Sequence, residues 1–178
     1  MVTSRIAPKG SPFIILAILV GTQSLVAGAE ERPGEPIWGL PTSAVKLSAK
    51  TEREAYRKEE HITVIVRMRC VGELPVEIVD TEGCVDYRLW LFRENGQPVP
   101  LSQGAEKAGK QRSTREGAVL SIGGTTIRPG TDVCQELLLD EWFNEKKAGS
   151  YFLVIMRRVG RKGEELAVAN GVRFKIQE

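Results

Sequence analysis

One stretch restricts the fold more than any other. From Ile62 to Cys70 the side chains alternate: Ile62, Val64, Val66, Met68 and Cys70 fall on one side, Thr63, Ile65, Arg67 and Arg69 on the other. A period of two is that of a pleated strand with one buried face; a helix would scatter the same residues around its circumference. Further strand signals follow at Val45–Lys50, Val76–Val79, Asp86–Arg93, Val119–Ile122, Tyr151–Val159, Leu166–Val168 and Val172–Ile176. Val133–Phe143 reads as a strand running into one helical turn. Turn signals separate these runs about every ten residues: Gly72–Pro75, Thr81–Gly83, the Asn95-Gly96 hairpin pair, Gly123-Gly124 and Pro129-Gly130. Short strands at that spacing predict an all-β chain.

The N-terminus has a different grammar. Residues 1–29 hold Arg5 and Lys9, then the apolar run Phe13–Val20, then the small residues Ala27-Gly28-Ala29, with no acidic residue among them. That is the three-part pattern of a secretory signal peptide. The run is shorter than the roughly 20 residues of a spanning helix. Residues 1–29 are therefore expected to direct export to a periplasm or the extracellular space, with no membrane attachment after cleavage. Residues 30–44, with Pro33, Pro36, Pro41, Gly34 and Gly39, read as an irregular leader whose Trp38 and Leu40 tuck onto the domain edge. Residues 45–178 form the domain. The formal net charge of +2 comes wholly from Arg5 and Lys9, so the exported part is neutral. That balance argues against a nucleic-acid binder.

Chemistry-bearing residues are few. His61 is the single histidine, at the start of a strand after a charged turn, and no Gly-x-Ser-x-Gly elbow is present. The carboxylate pairs Glu59-Glu60 and Glu164-Glu165 sit in turn-like stretches, not in a cleft. The spacing of Cys70, Cys84 and Cys134 matches no zinc finger or ribbon, and no dense acidic loop suits calcium. The expectation is a protein without catalytic residues, metal or cofactor. An oxidising compartment permits one disulfide among the three cysteines. Cys70–Cys84 would staple neighbouring strands; three reduced thiols acting as small hydrophobes is an equal alternative. Trp90 and Trp142 read as core residues, and Tyr151 as a corner anchor after Gly149.

Two basic clusters stand out. Lys107, Lys110, Arg112 and Arg115 lie in the long polar loop 102–117, and Arg157, Arg158, Arg161 and Lys162 in a late turn. Brought together they would make a basic binding patch; alternatively Glu106, Glu116 and Glu164 balance them in solvent. Neither cluster interleaves aromatic residues, so a single-strand nucleic-acid platform is not expected.

The order of several short motifs resembles a family. Thr51–Glu60 stands where bacterial immunoglobulin-like and macroglobulin-type exported sandwich domains carry Asp-x3-Tyr-x-Pro-Gly-Glu. Asp86–Leu89 followed by Asn95–Val99 resembles their strand and Gly-x-Pro-Val hairpin. Arg128-Pro129-Gly130, Ala148–Phe152 and Ala169–Val172 before Phe174 and Ile176 are similar to the late turns and final strand. Lys58-Glu59 and Ala148-Gly149 replace two Pro-Gly pairs of the pattern. The resemblance spans roughly residues 43–178. It implies an immunoglobulin-like antiparallel β-sandwich of about seven to nine strands and export, but no reaction. The function expected is a non-enzymatic module that binds a protein partner through loops 102–117 and 157–165 or a sheet edge. The alternative is a proteinase-inhibitor-like or purely structural domain.

Overall fold

The alternating runs become strands that share one core. The computed structural model describes residues 35–80, 86–107, 123–159 and 165–178. Within them the strands are β1 (Val45–Thr51), β2 (Ala55–Arg57), β3 (Thr63–Cys70), β4 (Val76–Asp80), β5 (Tyr87–Arg93), β6 (Gly123–Ile127), β7 (Asp132–Leu138), β8 (Gly149–Val159), β9 (Glu165–Val168) and β10 (Val172–Gln177). One short helix, α1 (Leu139–Trp142), follows β7. The protein is mostly β, built from several sheets. β1-β3-β7 is a three-stranded antiparallel sheet. β2-β10-β8-β5 is a larger sheet, in which β9 pairs with the far end of β8. β4 and β6 form a separate two-stranded antiparallel sheet.

Each strand buries one parity. Ile62, Val64, Val66, Met68 and Cys70 are at most 2 % exposed. They meet Leu89, Leu91, Leu153, Ile155, Phe174 and Ile176 of the larger sheet in one hydrophobic cluster. Such burial is the main favourable term in folding. Trp142 fills part of this core, and Tyr151 anchors a corner, its Oη donating to Lys147 O at 2.6 Å. Gly149, at φ +149°, makes the turn into β8 in a region that side-chain-bearing residues avoid.

The joint between the two larger sheets is polar and specific. β1 is an edge strand, which leaves backbone groups to satisfy. Asn170, between β9 and β10, accepts from Ala49 N at 2.7 Å and donates to Ala49 O at 3.0 Å, as a neighbouring strand would. Gly39 N donates to Leu47 O at 2.7 Å on the same edge. A Cβ on Gly39 would lie 2.0 Å from Val168 O, so only glycine fits there.

Several expectations are corrected. The described residues hold ten strands, not seven to nine, and β2 pairs with β10 in parallel, so the sheets are not purely antiparallel. β2 escapes notice because Tyr56 is its one buried residue in a charged stretch. Gly123-Gly124 opens β6 instead of making a turn. After the Asn95-Gly96 turn the chain makes an isolated bridge from Pro98 to Phe92, and Val99 N donates to Leu91 O. Trp90 is 38 % exposed and outside the core, and Leu40, at 84 %, does not tuck in. Residues 1–29, Cys84 and most of the 102–117 loop lie outside the described residues.

Candidate interaction surface

Strand parity decides which side chains the larger sheet turns away from its core. β8 buries Tyr151, Leu153, Ile155, Arg157 and Val159, leaving Ser150, Phe152, Val154, Met156 and Arg158 on the outer face. The register extends that face across neighbouring strands. Phe92, Phe152 and Arg173 form one row, Trp90 stands opposite Val154, and Arg88, Met156 and Val168 form another row. Arg158 stands opposite Leu166. Lys175 stands between Ser150 and Ala55, and Arg57 of β2 stands opposite Gln177 at the sheet edge.

Two properties separate this face from an ordinary solvated one. It is apolar: Trp90, Phe152 and Val168 are 36–38 % exposed, with Phe92, Val154, Met156 and Leu166 half-buried around them. It is also cationic. Arg57, Arg88, Arg158, Arg173 and Lys175 all occupy outward positions, no described outward position of the sheet carries a carboxylate, and no ion pair is formed by any of the five among the described residues. Arg173 lies over the Phe152 ring at 5.9 Å, and Phe152 packs onto Gly171, where a Cβ would sit 2.4 Å from its ring.

Carboxylates gather beside the Arg57 edge of this sheet and on the other sheet. Around residues 53–61 and 139–147, Glu60 accepts from Arg57 N and Arg53, which holds its carboxyl below the usual range. Arg93 does the same for Glu145. Burial pushes the Tyr151 phenol up, aided by Glu145. On the outer face of β1-β3-β7, Arg69 grips Asp132 with two nitrogens and lowers its pKa. There Lys46 and Arg69 approach the Trp38 ring at 4.7 and 4.8 Å.

Of the eight residues of the basic patch expected from the sequence, three are described, Lys107, Arg157 and Arg158, and Arg157 is not at the surface. Arg157 is buried at 0 % exposure between the sheets, where Nη1 donates to Tyr87 Oη and Gln135 Oε1, each at 2.7 Å. Its guanidinium stacks over the Tyr87 ring. An arginine so placed belongs to the core. Arg158 faces outward with the other sheet cations, and Lys107 is exposed in a short helical turn at 103–107. Lys110, Arg112, Arg115, Arg161 and Lys162 lie outside the described residues. Cys70 is a buried free thiol donating to Leu74 O at 3.3 Å, and Cys134 is an exposed free thiol. Cys84, the partner expected for Cys70, is not among the described residues.

His61 is exposed. Its Nδ1 bonds Asp140 Oδ2, while Lys146 Nζ takes Asp140 Oδ1 at 2.7 Å and Glu60 O at 2.8 Å. Among the described residues no hydroxyl bonds the His61 ring, no cluster of three metal-ligating side chains occurs, and no helix is long and apolar enough to cross a membrane. A groove of about 450 Å³ beside β4 and β6 is lined by Pro75, Val76, Glu77 and Thr126, which offer one carboxylate and one hydroxyl.

No family model matches the chain, and no curated protein does. Solved structures with some likeness include the alkylpurine DNA glycosylase AlkC of Pseudomonas fluorescens bound to DNA containing an abasic site analog (11 % identity, TM-score 0.41, covering 78 % of this chain and 32 % of that one). The sporulation control protein Spo0M of Bacillus subtilis (14 %, 0.41, 77 % and 51 %) and the yjhA protein of Bacillus subtilis (16 %, 0.36, 80 % and 97 %) are others. The chain thus spans about a third of the glycosylase and half of Spo0M. Likeness at this level assigns no function.

Proposed function

We propose that the chain is an exported, non-catalytic binding module on an immunoglobulin-like β-sandwich, and that it engages its partner with the outer face of the larger sheet. The observation that carries this reading is the joint occurrence, on one face, of Trp90, Phe92, Phe152 and Met156 with Arg88, Arg158, Arg173 and Lys175, none of which forms an ion pair among the described residues. Aromatic residues, Met and Arg are the types enriched where proteins meet. The sandwich assignment is supported by the two sheets sharing one core and by the Tyr151 corner, a feature that recurs in immunoglobulin-like domains. Export is supported by the signal pattern of residues 1–29 alone. In this reading the face is the main contact surface; Arg157 is buried, and the rest of loops 102–117 and 157–165 lies largely outside the described residues.

The test is capture of partners from the exported fraction of the producing cell by the immobilised protein. A Trp90→Glu, Phe152→Ser variant should lose the captured species, and a variant lacking residues 104–116 should keep it. Retention by the face variant with loss by the loop deletion would return the function to the loop. Capture unaffected by either change would overturn a binding role for both surfaces.

A further inference from the structure

We infer that the occupant of this face is an acidic polypeptide segment of another protein, in which apolar side chains are flanked by carboxylates. This rests on the binding reading above and adds the partner's chemistry. The grid of the sheet sets its dimensions. Phe92, Phe152 and Arg173 share one row, Arg88, Met156 and Val168 another four residues along β8, and Arg158 lies two residues further. At about 3.3 Å per residue, the cations at the two ends are about 13–20 Å apart. Between them lie Trp90, Val154 and Met156. A partner segment that fills the middle with apolar groups and places Asp or Glu at both ends satisfies the whole face.

Other occupants fit less well. A second copy docked face to face would set the cationic ends of one face against the cationic ends of the other, with no carboxylate at a described outward position of either sheet. Like charges so placed oppose an isologous dimer. A single-stranded nucleic acid would meet the cations but not the middle. Stacking platforms need successive open ring faces. Here Phe152 lies against Gly171 with Arg173 over it, and Val154, Met156, Leu166 and Val168 have no ring. Apolar side chains of a peptide pack on such residues; bases do not stack on them.

The test uses the purified protein and three fluorescent probes in anisotropy titrations. The first is a 14-residue amphipathic peptide with Leu and Phe along one side and two Glu at each end. The second is the same peptide with Gln in place of every Glu, and the third is a thymidine oligonucleotide. The acidic peptide should bind at least tenfold more tightly than its Gln twin, and weaken as salt rises. Arg88→Glu with Arg173→Glu, both exposed and remote from the core, should lose at least tenfold for the acidic peptide. Trp90→Ala should weaken both peptides. Equal binding of the two peptides, tighter binding of the oligonucleotide, or an unchanged affinity in the double arginine variant would each overturn the inference. If the face variant loses the captured native partner while no acidic peptide binds, the partner chemistry fails and the binding surface stands. If capture survives the face variant, the surface itself fails.

Discussion

Asn170 offers the sharpest test of how the two large sheets are joined. Its amide supplies both halves of a strand-like pairing to Ala49, on a residue only 3 % exposed. Asn170→Ala removes an acceptor and a donor together. An unsatisfied buried backbone group costs about 1–3 kcal/mol, and two are created. Water entering the vacated space recovers part of this, so the expected loss is about 2–4 kcal/mol. For a chain of this size that lowers the melting temperature on the order of 10 °C. Asn170→Leu keeps a similar volume but no polar atom, and should cost at least as much. The assay is equilibrium urea unfolding of the three proteins at one pH, comparing midpoints at constant slope. If the Leu variant matches the wild type while the Ala variant falls, the residue acts by filling space. If both lose less than about 0.5 kcal/mol, neither bond holds the edge of β1, and the account of the joint is wrong.

Three further outcomes follow from the geometry. Tyr87→Phe takes an acceptor from the Arg157 guanidinium, which has no exposure to solvent, and should cost about 1.5–3 kcal/mol in urea unfolding; a loss below about 0.5 kcal/mol would show the network to be dispensable. Asp132 has its folded pKa lowered by Arg69, so its contribution is present above the unfolded value near 3.8 and is lost as pH falls through the folded one. The stability gap to Asp132→Asn, no more than about 1 kcal/mol for so accessible a pair, should therefore be full at neutral pH and close below that value; a gap independent of pH would refute the linkage. In thiol labelling, Cys134 should react in the native protein and Cys70 only after unfolding; rapid native labelling of Cys70 would contradict its burial.

Much of this architecture is legible in residue order because a half-buried strand writes its parity into the chain. Ile62–Cys70 and Val172–Ile176 read correctly for that reason, and Tyr151 could be placed because a glycine at the turn precedes it. Residue type misleads where it conflicts with parity. Trp90 alternates with Leu89 and Leu91 and so had to face away from them, yet its size suggested the core. Arg157 sits in phase with Leu153 and Ile155, which placed it inward despite its charge. The burial of a guanidinium depends on Tyr87 and Gln135, which lie 70 and 22 residues away in sequence, and no local pattern encodes that meeting. β2 and β6 are not legible in the sequence because a three-residue parallel strand and a Gly-Gly start carry little intrinsic preference.

The candidate surface has a related history. Summed charge balances beyond residue 29, which argues against a basic binding protein, and the basic runs visible in sequence carry no aromatics. Summation discards position. Arg88, Arg158, Arg173 and Lys175 are scattered over 88 positions of the chain, and only the pairing of β5, β8, β9 and β10 collects them beside Trp90 and Phe152. Glu52, Glu54, Glu59 and Glu141 lie exposed outside these strands, so the neutral total conceals a molecule with unlike surfaces. The cations stand on strands and not on loops, so their spacing is fixed by hydrogen-bonded register. A partner must match that spacing to gain from all of them, which makes the face a means of selection among acidic segments as well as a source of attraction.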